Sequence, residues 1–342
     1  MLGRPPFALF TRSANLHPEE VLAMGGSVTA KANADRRTSF GGWLGRAVLV
    51  AAVMQSLRIG LQIRRELAAF KASQAELGTS WSTVPSITRK RQLRVHARTH
   101  ARSCGRGPTM VLLHGYAIGS TYLVPLAARL SREARVYAPD LPGHGLSEHD
   151  VRPLTIPELA RALEAFMDSQ GLRAALVIGH SMGSQIAVEL ARNRPDLTAG
   201  LLLVGPTCDS AAPTPIQQIL RGALTGFFER PSFYVWALID YGRAGLRLLL
   251  HELRELTAHR IDHVLPGINI PVRVVRGAHD YIAPQRWALT VAHLGKTAPP
   301  KVLPRWGHCV QYSEPERIAR IALDFASELD GAAAPRSPGA SA

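Results

Sequence analysis

A serine between glycines, a late histidine and an aspartate ahead of it can together carry out acyl transfer. In Gly179-His180-Ser181-Met182-Gly183 the sequence fits G-x-S-x-G. An apolar run, Ala175 to Ile178, precedes it, and a helical segment, Ile186 to Arg192, follows. A sharp strand-to-helix turn needs small flanking residues and presents the serine hydroxyl at the sheet edge. The start of the helix also favours negative charge there. A hydroxyl is a weak nucleophile without a base. His308, in Trp306-Gly307-His308, falls between the last strand pattern and the last helix pattern and is the candidate base. Asp280 directly follows the strand Val272 to Arg276 and is the candidate acid. Such an acid fixes one imidazole tautomer and stabilises the imidazolium. Asp209, after the preceding strand, is its rival. The developing oxyanion needs two donors. One is the backbone N–H of Met182, and the other that of Tyr116, in His114-Gly115-Tyr116 after the run Thr109 to Leu113.

Other motifs carry less chemistry. Asp140-Leu141-Pro142-Gly143-His144-Gly145-Leu146-Ser147 has neither Walker spacing nor a Gly-Lys pair, so it reads as a structural turn. Cys309 beside His308 reads as a neutral filler. Cys104, Cys208 and Cys309 are odd in number and widely spaced, which rules out a disulfide framework and a structural zinc site. Neither a cofactor nor a metal is expected, and the cysteine usage points to the cytoplasm.

These residues need elements to hold them. From Ile87 the chain alternates strand and helix patterns. Leu93, Val95 and Ala97 alternate with Arg94, His96 and Arg98, an edge-strand signal. Strands follow at Thr109 to His114, Arg135 to Pro139, Ala174 to Gly179, Gly200 to Val204, Val272 to Arg276 and Lys301 to Pro304. Helices lie at Tyr122 to Arg132, Ile156 to Ser169, Met182 to Arg192, Gln285 to His293 and Glu316 to Glu328. The helix at Ile156 opens with a capping box, Thr155 with Glu158, and Pro157 in its first turn. Alternation of this kind implies a mostly parallel sheet flanked by helices on both faces, an α/β fold.

The charge is unevenly spread. The 342 residues carry a formal +14. Residues 1–107 hold 17 Lys/Arg against 5 Asp/Glu, and the remainder 23 against 21. A nucleic-acid partner would want a basic face with a recognisable module, and the near-neutral part shows neither. Residues 1–42 lack sustained periodicity and read as a disordered extension, with Met24 and Met54 as alternative starts. An amphipathic helix follows from Trp43 to Phe70, with Val50, Val53, Leu57 and Leu61 on one face and Gln55, Arg58, Gln62 and Arg65 on another. Three readings stay open for it: packing on the next domain, peripheral contact with an anionic membrane through residues 43–70, or a secretory signal. No apolar run is long enough to span a bilayer. The expected organisation is an extension (1–42), helix and linker (43–85), a catalytic domain (86–330) and a disordered tail (331–342).

The chain from about Ile87 to Leu329, roughly 70% of the sequence, resembles the α/β-hydrolase superfamily. The features that carry it are His114-Gly115, Asp140 to Gly145, the Ser181 turn, Gly277 to Asp280 and Gly307-His308. Ser184 departs from the further glycine of many relatives. The resemblance implies a Ser181, Asp280, His308 triad and an α/β-hydrolase fold with a helical cap at about 206–266. It disfavours epoxide hydrolase and haloalkane dehalogenase activity, whose enzymes place an aspartate where Ser181 stands. The implied reaction is hydrolysis of a small-molecule ester or thioester with an apolar part. Carbon–carbon cleavage of a β-diketone-like substrate, acyl transfer, and a non-catalytic binding module are the alternatives. Aromatic and aliphatic cap residues, among them Phe227, Phe233, Trp236, Leu238 and Leu246, are expected mostly to pack against the core, with the rest lining an apolar pocket. Arg221, Arg230, Arg243 and Arg247 read as a solvated face.

Overall fold

A computed structural model describes residues 49–100 and 107–333. The expected extension, the first turn of the expected helix and the tail from 334 lie outside the described residues. Residues 49–75 form helix α1. Two strands follow, β1 (Gly78–Pro85) and β2 (Gln92–His100). The chain then runs β3 (Thr109–Leu113), α2 (Val124–Leu130), β4 (Arg135–Pro139), α3 (Ile156–Ser169), β5 (Ala175–His180), α4 (Met182–Asn193) and β6 (Thr198–Val204). Helices α5 (Pro215–Gly226), α6 (Pro231–Ala258) and α7 (Ile261–Val264) make the cap insertion. The chain returns through β7 (Val272–Gly277), α8 (Gln285–Leu294), β8 (Lys301–Leu303), α9 (Val310–Ser313) and α10 (Pro315–Ala333).

The eight strands form one sheet in the order β1-β2-β4-β3-β5-β6-β7-β8. Strand β2 is antiparallel to both neighbours, and β4 through β8 run parallel with β3. Because β4 and β5 lie on opposite sides of β3, the strand order reverses at the β3–β5 boundary. Crevices form at the carboxyl ends of such strands. The loops after β3, β5, β7 and β8 therefore all open on one edge.

Alternation splits each central strand between two cores. Val111, Leu113, Leu201 and Leu203 face one layer, built with α3, α4 and α8. Met110, Leu112, Leu202 and Val204 face the other, built with α2 and α10. That is why these strands read as continuous apolar runs. Helix α3 shows how the sequence sets a boundary. The Thr155 N–H donates to Glu158 at 2.9 Å, closing the capping box, and Leu159, Leu163 and Phe166 turn one face to the sheet.

Two differences from the sequence reading concern the amino-terminal side. Strand β1 lies inside the expected linker, so the sheet begins at Gly78 rather than after 85. Its sequence, GTSWSTVP, is rich in small polar residues and buries Ser82 and Val84 alone on its inner face. Pairing along all eight residues with β2, not its own hydrophobicity, makes it a strand. Helix α1 extends to residue 75, with Phe70 buried and stacked on Trp236 at 4.2 Å between ring centroids. Over residues 49–62, Leu49, Val50, Val53, Leu57 and Leu61 are exposed. At the other end α10 continues to Ala333, into the stretch expected as tail.

Phe166 is wholly buried between α3 and the sheet. Truncating such a ring costs about 3–5 kcal/mol. Phe166→Ala should therefore lower the melting temperature by about 10 °C in a circular-dichroism melt, at roughly 2–4 °C per kcal/mol for a domain of this size. An unchanged melt would show that α3 does not anchor this layer.

Candidate active site

Ser181 links β5 to α4 with φ 55° and ψ −123°, outside the regions a serine prefers. Such a conformation costs about 1–3 kcal/mol and persists only where the surroundings fix it. They do so here through hydrogen bonds and close packing. The Ser181 N–H donates to the Val204 carbonyl at 2.9 Å, and the Ser184 N–H returns to the Ser181 carbonyl at 2.9 Å. A Cβ on Gly179 would lie 2.5 Å from the Gly183 carbonyl oxygen, and one on Gly183 2.6 Å from that of His114. Ser184, the departure from the common pattern, donates from Oγ to the Gly179 carbonyl at 2.8 Å and adds another tie.

His308 and Asp280 meet across the β7 and β8 loops, with Nδ1 and Oδ2 at 2.8 Å. The other Asp280 oxygen accepts the Ala283 N–H at 2.8 Å, so the carboxylate is oriented at both ends. Burial alone would push the His308 pKa down, but the charge and hydrogen bond of Asp280 outweigh it and the net shift is upward. Among the described residues His308 Nε2 has no hydrogen-bond partner. The rival acid, Asp209, is turned elsewhere: Arg221 holds it at 2.5 Å, and Arg286 pairs with it too.

The loop after β3 lies against the serine. A Cβ on Gly115 would be 3.1 Å from that of Ser181. The Gly115 N–H donates to Tyr122 Oη at 2.9 Å, and Tyr122 Oη lies 2.7 Å from His180 Nδ1. His180 Nε2 is 3.2 Å from the His308 carbonyl. Burial first, and the neighbouring His308 second, lower His180 well below the usual imidazole range and keep it neutral. Its single proton then sits on Nε2, facing the carbonyl, and Tyr122 donates to Nδ1. This chain joins the loop of Tyr116 to that of His308. Met182 opens α4, where the first N–H groups lack helical partners.

Sequence reasoning did not single out the buried carboxylates that the cap sends into this edge. Glu252 Oε2 accepts the Ala117 N–H at 2.7 Å, and its other oxygen meets His144 Nε2 at 2.6 Å. Asp240 accepts the Gly119 N–H at 3.0 Å. Glu229 accepts from the backbone of His308 and Cys309. No local pattern marks them, because each partner lies 79 to 135 residues away in sequence. The Asp140 motif acts as a structural turn, accepting from Ser120 and Leu146 N–H groups and from His96. Among the described residues three of the four cap arginines have partners: Arg221 pairs with Asp209, Arg230 with the Ser313 carbonyl, and Arg243, which stays exposed, with Asp240.

A cavity of about 570 Å³ joins these groups, with Ser181 and His308 in its wall and Ile118, Phe233, Leu249 and Leu253 along its sides. Its lining is predominantly apolar, as ligand cavities usually are. The cap packs less than expected: Phe227, Leu238 and Leu246 stay exposed. Among the described residues no cluster of three or more His, Cys, Asp or Glu side chains suits a metal ion, and no helix is long and apolar enough to cross a membrane.

Comparison with known proteins adds a lineage. The model described as the alpha/beta hydrolase family matches residues 110–321. A pimeloyl-[acyl-carrier protein] methyl ester esterase of Xanthomonas campestris pv. campestris is 36% identical over 100 residues, 29% of this chain. The match spans only 38% of that esterase's own length. A 2-hydroxy-6-oxo-6-phenylhexa-2,4-dienoate hydrolase of Burkholderia cepacia is 27% identical over 67% of this chain and 91% of its own. Among solved structures, a bacterial membrane phospholipase A superposes with a TM-score of 0.63 at 18% identity, over 84% of this chain and 98% of its own.

Burial holds the thiols of Cys309 and Cys208 in their neutral forms, the latter pushed up to about 12. Iodoacetamide at pH 8 should therefore leave both unmodified in the native protein and alkylate both in denaturant, as read by peptide mass spectrometry. Rapid native alkylation of Cys309 would restore it as a nucleophile candidate.

Proposed function

Because the chain belongs to the α/β-hydrolase family, we propose that it is a serine hydrolase, cleaving an ester or thioester with an apolar part through an acyl-enzyme. The observation that carries this reading is His308, paired with Asp280 at 2.8 Å and sharing one cavity wall with the strained Ser181. In this mechanism Ser181 Oγ attacks the carbonyl carbon as His308 Nε2 takes its proton. Asp280 holds the Nδ1–H tautomer and stabilises the imidazolium. The N–H groups of Tyr116 and Met182 receive the oxyanion. His308 then protonates the leaving alcohol or thiol, and water repeats the sequence to release the acid. The apolar cavity supports an apolar acyl or alcohol part.

Carbon–carbon cleavage is the second reading, favoured by the Burkholderia relative, whose name is that of such a hydrolase. Turnover of nitrophenyl esters against β-diketones separates the two, and product analysis with added alcohol exposes acyl transfer. A peripheral membrane role rests on different residues. Within residues 49–62 exposed Leu49, Val53, Leu57 and Leu61 accompany exposed Arg58, and the sequence continues with Arg64 and Arg65. That composition suits an anionic lipid surface.

A fluorophosphonate probe should label the protein at Ser181, and Ser181→Ala should abolish both labelling and ester turnover; a folded protein that resists the probe would sink the reading. The pH dependence has a definite sign. His308 must be neutral to accept the proton, and its pKa is raised, so kcat/KM should fall as pH drops through a value above the usual imidazole pKa of about 6.5. For the lipid contact, reversing Arg58, Arg64 and Arg65 to Glu should cut cosedimentation with phosphatidylglycerol vesicles more than tenfold at low salt, at about 1 kcal/mol per basic residue. Equal binding by the variant and the natural chain would remove the idea.

A further inference from the structure

The loop that carries His308 gives its hydrogen bonds to the cap. Three successive backbone N–H groups leave it, and all end on the turn between α5 and α6. Gly307 donates to the Phe228 carbonyl at 3.0 Å. His308 and Cys309 both donate to Glu229 Oε1, Cys309 at 3.0 Å. The same turn grips the loop of the acid. The Phe228 ring stacks on that of His279, centroids 4.1 Å apart and planes within 8°. Just before the turn, Thr225 Oγ1 at the end of α5 accepts the Tyr281 N–H at 3.1 Å. Residues 279 and 281 flank Asp280, so the cap turn bridges the loops that bear acid and base. Gly307 fits this clasp: a Cβ there would lie 2.6 Å from Glu229 Oε1 and 2.9 Å from Thr225 Cγ2.

Resting on the serine-hydrolase reading above, we propose that Glu229 is the positioning residue for His308, clasping its backbone from the cap and supporting its imidazolium by charge. Both effects follow from geometry. A carboxylate that accepts two adjacent loop N–H groups fixes that loop more tightly than one bond can. An anion beside an imidazole in a low-dielectric site favours the protonated ring. Burial pushes the Glu229 carboxyl up to about 7, against the pull of the two N–H donors and His308. The charged and titratable groups facing the pair are Asp280, Arg276 and His180 beside the imidazole, and Cys309, Tyr234 and Asp280 beside the carboxyl. The second carboxyl oxygen, Oε2, has no hydrogen-bond partner among the described residues, so the clasp is made by Oε1 alone.

Two substitutions separate shape from charge. Glu229→Gln keeps an acceptor oxygen but no charge, and Glu229→Ala keeps neither. The test compares the natural chain, both variants and Ser181→Ala on p-nitrophenyl butyrate across pH, with melting temperatures alongside. Glu229→Ala should lose about tenfold or more in kcat, with KM changed less than about threefold. Glu229→Gln should recover kcat to within about threefold at the alkaline plateau. Its acidic limb should move to lower pH, because the imidazolium has lost an anion. Glu229→Ala within twofold of the natural kcat would overturn the proposal. So would an unmoved acidic limb in Glu229→Gln, which decides the matter if the alanine variant does not fold. Turnover that survives Ser181→Ala would instead sink the serine-hydrolase reading. Turnover lost there while both Glu229 variants behave like the natural chain would sink the clasp alone.

Discussion

A carboxylate taken out of water must find hydrogen-bond donors, or the fold carries a penalty of several kcal/mol. Here most of the donors are backbone N–H groups of the loops at one sheet edge. Asp280 takes Ala283 as well as the imidazole, Asp140 takes Ser120 and Leu146, and Glu252 takes Ala117. Asp240 and Glu229 take Gly119, His308 and Cys309. Each such bond satisfies a buried charge and fixes a loop at once. This is therefore an edge of shared hydrogen bonds, and its loops cannot move independently of the acids they serve.

The cap belongs to the same system. Helix α6 and the turn before it supply three of those carboxylates, and the Leu249 carbonyl accepts from Tyr116 Oη at 2.9 Å. An insertion of this kind would serve as a cover with apolar contacts alone. Instead its polar groups point inward while much of its apolar surface stays outside. In α5 the buried residues are Gln218 and Thr225, whereas Ile216, Ile219, Leu220 and Leu224 are exposed. A sequence reader expects the reverse pattern in a helix that covers a core.

That inversion marks where the sequence stops being legible. The sheet and its helices were readable because each element announces itself locally: apolar runs for β3, β5, β6 and β7, a capping box for α3, a glycine-flanked serine between β5 and α4. Ser181, Asp280 and His308 are the residues the sequence offers for a triad, because each follows a readable strand or turn. Strand β1 was missed because its partner, not its composition, makes it a strand. Tyr122, Glu229 and Glu252 were missed for a related reason. Their meaning lies in contacts with residues distant in sequence, and a lone buried acid in a helical cap looks like any exposed one until the chain has folded.

Histidine shows how far environment decides chemistry at this edge. His114, His144, His180 and His308 are all buried, and burial pushes every one of them toward the neutral form. Two have no carboxylate in hydrogen-bond contact among the described residues, and they stay depressed: His114 falls to about 4, and His180 well below its ordinary range. The other two meet a carboxylate directly, His144 on Glu252 and His308 on Asp280, and rise. Of that raised pair, His144 has both ring nitrogens engaged, with Glu252 and with the carbonyls of Leu141 and Pro142. Among the described residues, His308 alone of the four combines a raised affinity for protons with an Nε2 that no other group occupies and a place in the cavity wall. Four identical side chains thus divide into neutral connectors, a structural ion pair and one imidazole left open to the cavity, by where the carboxylates stand.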